Sequence, residues 1–398
     1  MFWADPINTI YKSWMTGLTS LGLSGSLAQV LLYLLGIILI ISGAMVLDIM
    51  LVWVERKVVA RFQGRLGPNR VGPFGLFQPF PDIIKLIIKE DTTPKGADKF
   101  VFNLAPILSL ASVIFLWAII PLAHNIYGVD LNVALLYLVA AGALGTLSVI
   151  MAGWSSNNKY ALLGAFRQVA AMISFEVPMI VALLIPVIFT GSLSMNTISS
   201  FQADNYWLVL VSPLGALLFL IAAIAELGRS PFDLNEGESE IVSGYHIEYS
   251  GMKFGLFYAG ELLHAFTFGG FVSILFFGGW DGPFAEQFPI LGVFYFLIKA
   301  MIGYWVIMWI KYTVPRIRID HMLMFNWKFL TPVAFALLIV TAVVHPLLIG
   351  LNNWVYVASM FLINVILGWV IVEFLRSKSK KERAAAETVS VSAAHSHS

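Results

Sequence analysis

Cysteine is absent from the 398 residues. The chain therefore forms no disulfide, no thiolate metal site and no cysteine-ligated cluster, and any redox centre it serves must come from a partner or a substrate. Charge is scarce as well, at 12% of residues. The start of the chain lacks the basic segment of a signal peptide. What fills the space is apolar: 59% hydrophobic and 14% aromatic residues, with a mean hydropathy of +0.84. That composition lies outside the range of soluble globular domains.

Apolar runs long enough to cross a bilayer recur along the chain. Nine are read, at about 27–54, 101–122, 131–153, 170–191, 207–226, 254–278, 289–311, 331–350 and 353–374. The fold class is an all-α polytopic membrane protein. Ahead of the first run, Ile7, Ile10, Tyr11, Trp14, Met15, Leu18 and Leu21 recur at helical spacing. That pattern fits an amphipathic helix lying in the interface; a frayed apolar terminus is the bland alternative.

Basic residues are also missing from alternate loops. Those near 123–130, 192–206, 279–288 and 346–353 carry no Lys or Arg. Segment 55–100 carries nine, 154–168 two, 226–253 two, 311–328 four and the tail after Glu373 five. The positive-inside rule puts the second set in the cytoplasm, the N-terminus outside and the C-terminus inside. Of 24 basic residues, 22 then lie inside, the exceptions being Lys12 and Lys299. The tail from Arg376 is polar and low in complexity, and is expected to be disordered.

Against this background the stretch 226–249, ELGRSPFDLNEGESEIVSGYHIEY, stands apart with six carboxylates. Asp233, Glu236, Glu238 and Glu240 crowd a short span, and Arg229 is the nearby cation. Clustered acids repel and raise one another's pKa values, which fits proton handling or a docking surface. Three more acids fall in the apolar runs: Glu176 in SFEVP, Glu226 at the end of the fifth run and Glu261 in YAGELLHAF. His264 shares a helical face with Glu261. An ionisable group at membrane depth is costly and as a rule faces a polar cavity or path. A neutral acid, or one paired with Arg167 or Arg229, is the plain structural reading of each. Asp48, in the first run, fits a simply solvated group near a boundary.

Segment 55–91 is the other unusual region. Glu55, Arg56 and Lys57 mark the end of the first helix. Gly64, Gly67, Pro68, Gly72, Pro73 and Gly75 then force irregular backbone, with Phe74, Phe77 and Phe80 between them. The segment lacks the GxxxxGK[ST] and GxGxxG patterns that cradle phosphates. A Phe-lined, Arg-rimmed concavity suits an apolar ligand with a polar head; a rigid connector that docks another subunit fits the residue types equally well.

Three segments carry a specific resemblance: ERKVVARFQGRLGPNRVGPFGLFQPFPDIIKLIIKE, GWSSNNKYALLGAFRQVAAMISFEV and AELGRSPFDLNEGESEIVSGYHIEYSG. In this order and spacing they resemble the H subunit of proton-pumping NADH:quinone oxidoreductase, respiratory complex I, over roughly residues 27–350. The resemblance implies a membrane subunit that builds the quinone chamber together with peripheral-arm subunits and couples quinone reduction to proton translocation. Glu176, Glu226, Asp233, Glu236, Glu238, Glu240 and Glu261 match its acidic path. Arg56, Arg65, Asp82, Phe74, Phe77, Arg229 and Arg316 match the quinone site and its access route. Quinone is the implied substrate. Iron–sulfur clusters and FMN belong to partner subunits, and this chain alone binds no cofactor or metal and has no complete active site. Implied partners are the other complex I subunits and the lipid of a bacterial inner membrane, with no nucleic acid. A membrane anchor of a ferredoxin-linked or hydrogenase complex, or a stand-alone cation/proton antiporter, are the rival readings; the chain shows no repeat of the antiporter kind. The expected division is an interfacial helix at 1–26, the complex I membrane core at 27–350, an added helix at 351–375 and the tail at 376–398.

Overall fold

The structure, a computed structural model, describes residues 6–22, 24–233 and 242–396. The fold is helical throughout, apart from a small antiparallel pair of strands, Pro121–Ala123 with Ile126–Tyr127. Eight helices among the described residues are long and apolar enough to cross a membrane: α2 Gly25–Phe62, α4 Lys99–Trp117, α5 Ala134–Ser155, α6 Lys159–Thr190, α10 Gly251–Phe276, α11 Pro289–Thr313, α12 Ile319–Leu348 and α13 Asn353–Ser377, which continues beyond. Shorter helices are α1 Pro6–Ser20, α3 Pro79–Ile88, α7 Met195–Asp204, α8 Leu208–Val211 and α9 Pro213–Glu226.

The fifth expected span is thus broken. Pro213 has no backbone N–H, and the helix stops at Ser212 and restarts as α9. The added helix α13 covers the break: Asn364 Nδ2 donates to the Val211 carbonyl at 3.0 Å. α13 also runs on to Ser396, where the sequence reading expects an irregular tail beyond 376. The Lys, Arg, Glu and Ala of that segment are strong helix formers and extend the helix once it is nucleated.

α2 has 38 residues, about 57 Å at 1.5 Å per residue. That exceeds the roughly 30 Å of a hydrocarbon core, so its last turns, from about Trp53, stand at the basic end of the bundle. α10 is the most deeply packed long helix. It crosses α11 at close range because both carry glycine there. A Cβ at Gly269 would meet the Ala300 carbonyl oxygen at 2.6 Å, and one at Gly303 would meet Gly269 Cα at 2.9 Å. Small residues permit such approach. The crossing sets Tyr304, next in sequence, fully inside the bundle.

Lys299, an exception to the basic asymmetry, is held by the chain itself. Its Nζ donates to the Phe277 and Asp281 carbonyls at 2.8 and 2.7 Å and sits 4.7 Å over the Trp207 ring. It ties the loop after α10 to Trp207, between α7 and α8.

Candidate functional site: a charge cluster and an adjoining cavity

Glu226 is the last residue of α9. Two residues on, Gly228 turns the chain with φ +59°, a region that a side chain disfavours by about 1–2 kcal/mol. A Cβ there would also meet Gln168 Nε2 at 2.4 Å. The turn drives Arg229 back under α10, where its side chain is 1% exposed. Gly228→Ala is therefore expected to lower the melting temperature of the protein in detergent by several degrees; an unchanged melting curve would show that the turn tolerates a side chain.

Arg229 stands between two carboxylates. Its Nη1 is 3.4 Å from Glu55 Oε1, and its Nε is 3.4 Å from Glu261 Oε1. Only the first contact has hydrogen-bond geometry; the second is an ion pair by distance alone. Lys311 Nζ lies 3.0 Å from the same Glu55 oxygen, which also accepts from the Tyr312 hydroxyl. Tyr258 donates to the other Glu55 oxygen at 3.4 Å. Four elements meet here: the end of α2, the loop after α9, α10 and the end of α11. Burial works against the Arg229 cation, but the carboxylates of Glu261 and Glu55 outweigh it and hold its pKa above the usual arginine range. Glu55 and Glu261 balance Arg229 and Lys311, so the group is neutral as a whole.

Next to the cluster is a cavity of about 60 Å³, roomy enough for a few waters. Glu226, Glu261, His264, Gln168, Ser112 and Tyr245 are among its lining residues. Glu226 is 5% exposed, and its Oε2 has no hydrogen-bond partner among the described residues. Glu176 lies within electrostatic reach of it from α6. Glu261 faces both the cavity and Arg229, and so joins the two halves of the site.

The structure brings together Glu226, Glu261 and Arg229, with Glu176 close by. Arg56 and Asp82 form a separate ion pair that ties α2 to α3, with Lys85 4.0 Å from Asp82. Arg65 reaches Gln63, at 2.7 Å, and Phe74 and Phe77 are exposed. These three are not part of the buried cluster. Gly75 closes their turn tightly: a Cβ there would meet the Pro68 carbonyl oxygen at 2.3 Å. Asp233 and Arg316 sit on two loops joined to each other, with Ile317 N–H donating to the Pro231 carbonyl and Ser230 Oγ to the Val314 carbonyl, both at 3.0 Å. Glu236, Glu238 and Glu240 lie outside the described residues.

Sequence reasoning missed the centre of the cluster. Glu55 reads as a boundary residue beside Arg56 and Lys57, yet it is 4% exposed and binds four partners. Asp48 is one heptad earlier on α2 and equally buried. That seven-residue spacing places both acids on one face and was the available signal. Nothing in the sequence marked Lys311, Tyr258 or Tyr312.

On the surface of the same end, an open cavity of about 410 Å³ is lined by Leu86, Lys89, Ser243, His246, Tyr249 and Phe254, among others. Burial lowers the His246 pKa, with Glu261 pulling it back up. The unfolded chain, with a histidine pKa of about 6.5, binds the proton more readily than the folded one. The neutral ring therefore contributes stability above about pH 6.5, and the contribution is lost as pH falls through the lowered folded value. His246→Gln is expected to flatten the fall of melting temperature on the acid side of pH 6.5; an unaltered slope would mean that His246 does not titrate in the folded range.

A bundle of long apolar helices that gathers paired charges at its basic end is a polytopic membrane protein with a largely buried polar site. Residues 35–342 match the family model described as NADH dehydrogenase. The H subunit of NADH-quinone oxidoreductase from Dehalococcoides mccartyi (strain CBDB1) is 44% identical over 339 residues, 83% of this chain and 93% of the relative. The protein of that name from Brevibacillus brevis is 44% identical over 293 residues, 74% and 87% of the two chains. The chain belongs to the NADH dehydrogenase family, among relatives named as the H subunit of NADH-quinone oxidoreductase.

Proposed function

We propose that the chain is the membrane subunit of respiratory complex I that builds one wall of the quinone chamber and couples quinone reduction to proton translocation. The observation that carries this reading is Glu261, which touches the charge cluster on one side and the Glu226 cavity on the other. A cavity that gathers the ionisable side chains Glu226, Glu261 and His264 suits a proton path better than charge pairing alone. The 410 Å³ cavity at the basic end has the size of a ligand site, and its open side is available for a peripheral-arm subunit to close.

Quinone takes up two electrons and two protons to become quinol. Electrons reach it from iron–sulfur clusters and FMN in partner subunits, so this chain alone does not complete an active site. Between arrival of electrons and protons the head group carries added negative charge. A unit charge about 10 Å from a carboxylate, at an effective dielectric of about 20, changes its energy by about 1.7 kcal/mol. That equals roughly one pKa unit, enough to move a proton between neighbouring acids. Arg229 and Lys311 neutralise Glu55 and Glu261, so that the protein tolerates the charges at rest. Glu261, the cavity, Glu226 and Glu176 then form a line along which a proton can be passed, with Asp233, Glu236, Glu238 and Glu240 as its loop end. Arg56, Arg65, Asp82, Phe74, Phe77 and Arg316 frame the quinone's way in. We place the chain in a bacterial inner membrane with its basic loops in the cytoplasm, α1 in the interface, the N-terminus outside and the C-terminus inside.

Purification of the tagged chain in mild detergent tests this reading. The expected eluate contains further subunits and reduces a water-soluble quinone in an inhibitor-sensitive reaction driven by NADH or ferredoxin. A chain that elutes alone from membranes retaining quinone reductase activity would contradict it.

A further inference from the structure

Pro178 lies inside α6, two residues after Glu176. In a regular helix the Ser174 carbonyl accepts the N–H of residue 178, and proline has none. A buried carbonyl left without a donor costs about 1–3 kcal/mol. The partner here comes from another helix. Asn326 Nδ2 donates to the Ser174 carbonyl at 2.5 Å, across 152 residues of sequence. A carbonyl only accepts, so the contact also fixes which way round the Asn326 amide sits.

Two features show that this contact is built. Asn326 is fully buried, in a bundle where such a residue is expensive unless it is used. It is also the first residue of a π-helical turn, Asn326–Leu330, inside α12. Single π turns re-aim side chains and are concentrated at functional sites. The same neighbourhood packs Phe175 on Phe232 and Phe232 on Phe325, with ring centroids 5.1 and 6.3 Å apart. Glu176 is thereby bracketed: Ser174 is clasped on one side of it and Pro178 loosens the helix on the other.

We propose that Asn326 is a positioning residue for Glu176. By supplying the hydrogen bond that Pro178 withholds, it fixes the local pitch of α6 and so the direction in which Glu176 presents its carboxyl toward Glu226. The inference rests on the reading of Glu176 as a proton-carrying group. Without the clasp the helix has a carbonyl to satisfy and a proline at which to bend, and the Glu176–Glu226 spacing changes with it.

A double-mutant cycle tests the idea in the assembled complex. Asn326→Leu removes the donor. Pro178→Ala restores a backbone N–H at the position where the Ser174 carbonyl needs one. Asn326→Leu alone is expected to raise amide exchange over residues 172–180, to lower quinone-linked turnover several-fold and to shift its pH profile. Adding Pro178→Ala is expected to return exchange and pH profile to those of Pro178→Ala alone. Independent, additive effects of the two substitutions would overturn the proposal. So would increased exchange with an unshifted pH profile, because the contact would then be structural only. Glu176→Gln in the same membranes separates the two levels: full coupled turnover in that variant would remove the proton role of Glu176 whatever the cycle shows.

Discussion

Arg229→Met is expected to abolish both quinone-linked turnover and the accumulation of the assembled complex. Among the described residues, the guanidinium is the group that bridges Glu55 and Glu261. Methionine fills a similar volume but leaves Glu261 without its buried cation and Glu55 with Lys311 as the remaining one. Removing one partner of a buried ion pair costs about 3–5 kcal/mol, a large share of the roughly 5–15 kcal/mol by which a folded domain is stable. Arg229→Lys keeps the charge but has a single ammonium in place of two separated donors. It can serve Glu55 or Glu261 but not both, so assembly is expected to survive while turnover falls by an order of magnitude. Immunoblotting of membranes for the complex, together with quinone reduction per assembled complex, separates the two effects. Wild-type turnover in the methionine variant would mean that the cluster has no part in folding or function.

Glu55→Gln is the second large effect. Its carboxylate gathers Arg229, Lys311, Tyr258 and Tyr312 at one point. Glutamine occupies the same space, so packing is retained. The cluster loses one negative charge and becomes a net cation beside Glu261. That excess unbalances the charge cluster on the side where Glu261 meets the cavity. Losing a hydrogen bond to a charged group costs about 1.5–3 kcal/mol, so coupled turnover is expected to fall by about 10- to 100-fold with the complex still assembled. Glu55→Asp keeps the charge on a shorter side chain and is expected to recover part of the loss. Equal impairment in Gln and Asp variants would point to shape, and not charge, as the determinant.

How much of this was legible in the sequence depends on distance along the chain. The spans could be read because each is a local run of apolar residues. Even the break in the fifth was signalled locally, by Pro213. Glu226 and Glu261 were legible as acids inside such runs. Glu55 was not, because Arg56 and Lys57 beside it make it look like a solvated helix end. Its burial is set by partners 174 and 256 residues away, Arg229 and Lys311. The role of Asn326 was hidden for the same reason: a π turn leaves no mark in the hydrophobic period, and the carbonyl it serves is on another helix. Residues 234–241, on which Glu236, Glu238 and Glu240 fall, lie outside the described part of the chain. Their place in the path rests on the family resemblance.

Glu261 and Glu226 are proposed to carry protons between the charge cluster and the membrane arm. Proton uptake into sealed, inverted membrane vesicles during quinone reduction measures this transfer directly, with the assembled complex quantified in parallel. Glu226→Gln and Glu261→Gln are expected to assemble normally and to lose roughly tenfold or more of quinone-driven proton uptake. Normal assembly with wild-type proton uptake in both variants would show that neither acid carries protons.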